Sequence, residues 1–218
     1  MFLTHEEKLN WKALLVGAIF ALVLIFAGVF WFDIPMYNFL HRFDWGVWNV
    51  FGALFGAKVW LVVSFLVVVV FYLRKAIKTK SHIRLANLYK MIRTSYAFWI
   101  FCSVFLASVV GGILKIVIGR MRPIFYDALN MTGFFPFTND WAFHSMPSGH
   151  TMASFAALVT IGLLAPHAKW FTWTLAIIIG MSRVCAGMHW PSDVIFGAFI
   201  GMVAADVVYA WMARGVRK

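Results

Sequence analysis

Three short stretches hold most of the residues in this sequence that could do chemistry: "KIVIGRMRP" at 115 to 123, "PSGH" at 147 to 150 and "SRVCAGMHWPSD" at 182 to 193. In the last, His189 and Asp193 stand four positions apart. That spacing lets a carboxylate accept a hydrogen bond from one ring nitrogen and leave the other free as nucleophile or base. A purely structural His–Asp pair has the same spacing. Arg183 adds a fork of donors suited to an oxyanion. "PSGH" puts Ser148, Gly149 and His150 at a helix start, where free backbone N–H groups and the helix dipole favour an anion. Gly149 allows close backbone approach, and Ser148 also fits a plain N-cap. Lys115 and Arg122 are two helical turns apart on one face, with Pro123 turning the chain outward. Two snorkelling anchors would have the same spacing. Arg120 lies off that face and reads as an anchor.

The elements that carry these residues are hydrophobic. Of 218 residues, 63% are hydrophobic and 12% charged, too apolar for a solvated domain surface. A bilayer core of about 30 Å needs about 20 apolar residues per helix, and the pattern recurs as six spans: 13 to 32, 53 to 73, 95 to 118, 149 to 165, 170 to 187 and 192 to 212. The fold class expected is all-α, a polytopic membrane helix bundle forming one domain over 1–218. The first span reads as an uncleaved anchor, because no small-residue cleavage site follows it. Segments 33 to 52 and 119 to 148 lie outside the spans and are rich in aromatics. The first suits an amphipathic stretch in the interface through Tyr37, Trp45 and Trp48, and the second a loop resting on the membrane.

Most of the 19 Lys and Arg residues fall on one side if both termini are cytoplasmic: Lys8, Lys12, the "RKAIKTKSHIRLANLYKMIR" stretch, Lys169, Arg214, Arg217 and Lys218. The net charge of +11 then faces anionic lipid headgroups, and no nucleic-acid partner is expected. Nor does any feature call for an obligate protein partner. Cys102 and Cys185 fall near opposite ends of their spans, too far apart for a disulfide.

In this topology Lys115, Arg122, His150, Arg183, His189 and Asp193 share one depth, at the outer ends of the last four spans. Charges in a bilayer are costly, and three cations converging without an anion repel one another. The site calls for a multivalent anion, and phosphate fits: its oxygens can take Lys and Arg donors while a nucleophile attacks in line. His150, His189 and Asp193 could also be written as metal ligands, but three neighbouring cations oppose a divalent ion, so neither metal nor cofactor is expected. His144 has two readings, a substrate contact or a loop residue facing water, and the second is favoured. Asp206, far along the last span, reads as a structural partner of another polar group.

The ordered set "KIVIGRMRP", "PSGH" and "SRVCAGMHWPSD" resembles the three-part signature of the type 2 phosphatidic acid phosphatase superfamily, K-x6-R-P, P-S-G-H and S-R-x5-H-x3-D, with every position filled between 115 and 193. The six-span layout is similar to that of its small bacterial members. The resemblance implies that His189 attacks phosphorus and becomes phosphohistidine, oriented by Asp193. It also implies that His150 protonates the leaving oxygen and then activates water, and that Lys115, Arg122, Ser148, Gly149 and Arg183 hold the phosphoryl oxygens. The expected function is metal-independent removal of phosphate from a membrane lipid phosphomonoester or diphosphate. Undecaprenyl diphosphate, phosphatidylglycerophosphate, phosphatidic acid and lipid A all present the same headgroup chemistry. The expected setting is a bacterial inner membrane with a periplasm-facing site. A lipid phosphotransferase using the same phosphohistidine and a non-enzymatic lipid or anion carrier are the alternatives. A carrier would favour midplane broken helices and repeated halves, neither of which is evident.

Overall fold

The computed structural model describes residues 2–79 and 94–216. Helices account for the ordered elements: α1 (Trp11–Ala27), a π turn (Gly28–Phe32), α2 (Asp33–His41), α3 (Val47–Leu54), α4 (Ala57–Thr79), α5 (Tyr96–Ile118), α6 (Pro123–Leu129), α7 (Gly149–Leu164), α8 (Lys169–Cys185) and α9 (Pro191–Val216). Among the described residues there are only two isolated β-bridges and no strand. The basic stretch that dominates the expected cytoplasmic side falls mainly on 80–93, outside the described residues.

Four helical stretches are long and apolar enough to cross a membrane: Trp11–His41, Val47–Lys75, Tyr96–Ile118 and Pro191–Arg214. The chain is a helical membrane bundle. The other two expected spans are present as shorter helices, α7 with 16 residues and α8 with 17. At 1.5 Å per residue α7 is about 24 Å long, short of a full hydrocarbon core. It is enclosed by protein, packed between α5, α8 and α9, and the ten consecutive residues from Thr151 to Thr160 are all buried. By contrast α1 turns Leu15, Val16, Ile19, Phe20 and Val23 outward, as a lipid-facing helix must when no protein covers it.

Backbone approach between α7 and α9 depends on Gly197 and Gly201. A side chain at Gly197 would meet the Ser148 carbonyl at 2.7 Å, and one at Gly201 the Met152 carbonyl at 2.5 Å. Small residues four apart are the device by which membrane helices pack closely where burial of apolar surface gives little drive. Thr160 adds a hydroxyl bond of 2.9 Å to Ser103 across the α7–α5 contact. The start of α7 is thereby fixed against the start of α9.

The first span differs from expectation. The helix does not end near residue 32 but continues through the π turn, where the Asp33 N–H bonds to the Gly28 carbonyl, into α2. Asp33 and Tyr37 are buried against α8 and α9, not laid in the interface, because Asp33 finds polar partners there. Trp45 does remain exposed. The 119–148 segment is a folded cap whose Phe134, Phe135, Phe137 and Trp141 face outward. It is tied back by Met121 N–H to Gly133 O at 3.0 Å, Arg122 N–H to Ala142 O at 3.0 Å and Ser145 N–H to Arg120 O at 3.1 Å.

The pivot for that cap is Gly119, which ends α5 in the left-handed region at φ 58°, where an L side chain costs about 1–2 kcal/mol. A Cβ there would also fall on the Phe135 backbone, whereas one at Gly112 meets nothing within 4 Å. Gly119→Ala should lower the thermal midpoint in detergent by several degrees and Gly112→Ala should leave it unchanged. Equal midpoints for the two variants would show that the cap is not anchored at this turn.

Candidate active site

At one end of the bundle the C-termini of α5 and α8 and the N-termini of α7 and α9 surround a cavity of about 500 Å³. Lys115, Arg122, Gly149, His150, Arg183 and His189 all line it. Ser148 and Asp193 are fully buried behind the wall. Ser148 occupies the N-cap position of α7, but its hydroxyl accepts from Thr151 Oγ1 at 2.9 Å and caps no backbone N–H. Its own N–H donates to the Asp193 carbonyl at 3.0 Å, joining the starts of α7 and α9.

The three cations converge without carboxylates. Lys115 Nζ donates to the His144 carbonyl at 2.7 Å, and Arg122 Nη2 to the same oxygen at 3.2 Å. Arg122 is also braced by the carbonyls of Trp141 at 3.1 Å and Met188 at 2.9 Å, and its guanidinium lies 4.0 Å from the centre of the Trp141 ring. Arg183 donates to the Trp48 carbonyl at 2.7 Å and keeps a buried Nε with no partner. Among the described residues no carboxylate forms an ion pair with any of the three. Burial, assisted by Arg183, lowers the Arg122 guanidinium to about 10, so it stays charged at neutral pH. The helical-face argument for Lys115 and Arg122 does not hold: α5 ends at Ile118, and Arg122 reaches Lys115 because Gly119 turns the chain.

His189 is 3% exposed. Its Nδ1 lies 2.8 Å from the Ser145 carbonyl. A carbonyl only accepts, so Nδ1 carries the proton and the ring presents Nε2, with a free lone pair, to the cavity. Burial pushes this imidazole down to about 3, against the pull of Asp193, with Arg122 and Lys115 adding to the fall. The expected direct hydrogen bond from His189 to Asp193 is not made: Asp193 Oδ2 stands 3.8 Å from Nδ1, beyond hydrogen-bond range. That oxygen accepts instead from the Ser145 hydroxyl at 2.5 Å and the Trp190 N–H at 2.9 Å. The carboxylate acts on the ring as a nearby charge, and Ser145 aims it.

Arg120 is the largest departure from the sequence-based expectation. It is no exposed anchor but is 5% exposed, with 2.6 Å bonds to Asp193 Oδ1 and to Asp33 Oδ2. Burial opposes its charge, yet Asp193 and Asp33 together raise its basicity. The available signal was Gly119, because past a helix-ending glycine a helical face no longer assigns directions. His144 is half-buried and lines the cavity; its carbonyl receives Lys115 and Arg122, and its Nε2 bonds with the Thr138 carbonyl at 2.8 Å. Lys58, which no motif flagged, is exposed at the same cavity. Asp206 lies elsewhere and accepts the Phe2 N–H at 2.6 Å, a structural bond as expected. His150 faces the wall formed by the α3–α4 junction, where a Cβ on Gly56 would stand 3.3 Å from its Nε2. His150, His189 and Asp193 do not converge as a ligand set, and among the described residues no three His, Cys, Asp or Glu side chains do.

A lipid A 1-phosphatase from Rhizobium etli is 36% identical over 137 residues, which cover 56% of this chain and 59% of the relative. An undecaprenyl-diphosphatase from Sulfolobus acidocaldarius is 34% identical over 98 residues, 44% of this chain and 45% of the relative. The chain thus spans about half the length of these curated relatives. The crystal structure of Aquifex aeolicus LpxE shares the fold, with a TM-score of 0.54 at 21% identity over 83% of this chain and 96% of that one. The profile of the PAP2 superfamily matches residues 96–217, more than half of the chain and all three motifs, and the protein belongs to that superfamily.

Proposed function

We propose that this protein is a lipid phosphate phosphatase that works through a phosphohistidine. The observation that carries the proposal is the cavity itself: three cations without carboxylate partners surround it, and a neutral imidazole aims Nε2 into it. A phosphoryl group there would take donors from Lys115, Arg122 and Arg183, each close cation–anion pair contributing about 4 kcal/mol before desolvation at an effective dielectric near 20. The N-terminus of α7 at Gly149 adds a positive dipole end. Ser148 acts in this scheme by placing that N-terminus, not by touching phosphate.

In the first step Nε2 of His189 attacks phosphorus, the bond to the leaving oxygen breaks, and His150 supplies the proton that this oxygen takes. The phosphorylated ring is then cationic, with Nδ1–H still on the Ser145 carbonyl and the Asp193 charge close by. In the second step water attacks phosphorus, His150 takes its proton, and the N–P bond breaks to return neutral His189. No metal has a part in this scheme, since the cations that would hold phosphate would repel a divalent ion.

Membrane lipid phosphates are the substrate class that suits a site at the end of a membrane bundle, and the names of the relatives point the same way: lipid A and undecaprenyl diphosphate. The bias of Lys and Arg supports cytoplasmic termini, which would put this end of the bundle on the outer face of a bacterial inner membrane.

Detergent-purified protein should release inorganic phosphate from at least one of lipid A, undecaprenyl diphosphate, phosphatidylglycerophosphate and phosphatidic acid. Release should be unchanged by chelator and at least about a thousandfold slower in His189→Ala. Loss of release with chelator would overturn the metal-free scheme. Absence of release from every lipid would favour transfer to another acceptor or a carrier.

The protonation of His189 gives a separate measurement. The unfolded chain takes up this proton near 6.5 and the folded one only near 3, so the fold loses stability as pH falls through that window. The thermal midpoint should drop between about pH 7.5 and about pH 5, and should drop less in His189→Gln. An equal drop in both would mean that His189 is not held neutral.

A further inference from the structure

The phosphohistidine scheme uses Asp193 but leaves the two buried charges joined to it, Arg120 and Asp33, without a task. Asp33, Arg120 and Asp193 are 3%, 5% and 0% exposed. Arg120 spans the two carboxylates with one 2.6 Å bond to each. Its Nη1 also donates to Ser192 Oγ at 2.7 Å, and its guanidinium lies 5.5 Å from the ring centres of both Trp190 and Phe134. Asp33 accepts further from the Ser192 N–H at 2.9 Å and the Ser192 hydroxyl at 2.6 Å. Both carboxylate oxygens of Asp33 therefore serve Arg120 or the first turn of α9, the turn that carries Asp193.

The charges decide what this arrangement does. A guanidinium bonded to Asp193 alone would neutralise the carboxylate that the cationic phosphohistidine needs. Shared with a second carboxylate, the same guanidinium holds Asp193 in place and leaves the cluster one negative charge in excess. His189 becomes positive on phosphorylation, and the four groups together then sum to zero. The three cations that would hold phosphate line the cavity together with His189, so without this excess the phosphorylated imidazole would stand between those positive charges and a neutral pair.

We propose that Asp33 is a positioning residue of the reaction, acting through Arg120 to fix the carboxylate of Asp193 and to keep its charge available to His189. This rests on the phosphatase scheme above. It extends the working site beyond residues 96–217, which the family profile matches, to the helix that continues the first span. A carboxylate that merely fastened α2 to α9 would make the same bonds, so the test has to separate tethering from positioning.

Phosphate release by the wild type, Asp33→Asn, Asp193→Asn and the double variant forms such a test, with kcat, KM, inhibition by inorganic phosphate and thermal midpoint measured for each. Asp33→Asn should lower kcat about 10- to 100-fold, the range for removal of a supporting partner. KM and phosphate inhibition should stay within about threefold, because the groups that hold phosphate are untouched. In the Asp193→Asn background the same change should alter kcat by less than about twofold, since a residue acting only through Asp193 has nothing left to act on. Full kcat in Asp33→Asn, or a loss that multiplies undiminished onto Asp193→Asn, overturns the proposal. If Asp33→Asn does not fold, Arg120→Lys, which keeps the charge but loses the planar fork whose two nitrogens reach one carboxylate each, replaces it in the same cycle under the same criteria. A wild type that releases no phosphate overturns the phosphatase scheme instead, and the role of Asp33 falls with it.

Discussion

A guanidinium taken out of water costs several kcal/mol unless an anion comes with it, and this chain meets that requirement in two opposite ways within a few residues. Arg120 receives two carboxylates at 2.6 Å each. Arg122 receives only carbonyls and an aromatic face. The first arrangement is complete and closed. The second remains short of negative charge and opens onto the cavity, as does Arg183 with its unpartnered Nε. The site exists because the compensating anions were placed behind His189 and withheld in front of it.

Holding such an imbalance in place needs a stiff frame. Close packing of α7 on α9 through Gly197 and Gly201 keeps two helix starts within one hydrogen bond of each other, from Ser148 to Asp193. The turn at Gly119 brings Arg120 and Arg122 out of the helix and sends the first to Asp33 and Asp193 and the second to the cavity. Ser145 then joins the two halves, with its N–H on the Arg120 carbonyl, its hydroxyl on Asp193 and its carbonyl on His189. None of these contacts involves a long flexible side chain except the arginines, and those are braced at several atoms.

Much of this was legible in the sequence. Apolar runs located the helices, and ordered motifs located the residues that line the cavity. What stayed hidden has physical causes. Helical periodicity cannot describe residues past a left-handed glycine, so it points Arg120 outward and places Arg122 on the face of a helix that ends before it. An i, i+4 spacing permits a His–Asp bond but does not exclude a third group, and Ser145 took that place from a distance of 48 residues along the chain from Asp193. The aromatic stretch after residue 32 suggested the interface, since sequence gives no sign of a π turn and one acid among apolar residues does not announce its partner.

That π turn over Gly28–Phe32 sets a phase for the first span. Successive residues in a helix point about 100° apart, so one residue inserted or removed between Gly28 and Asp33 would swing the carboxylate from the bundle toward lipid. A hydrophobic anchor is ordinarily interchangeable with any other of equal length, because lipid reads thickness and not rotation. Here the anchor is keyed like a shaft, and a foreign helix of matching hydropathy would insert correctly while leaving Arg120 with half of its counter-charge.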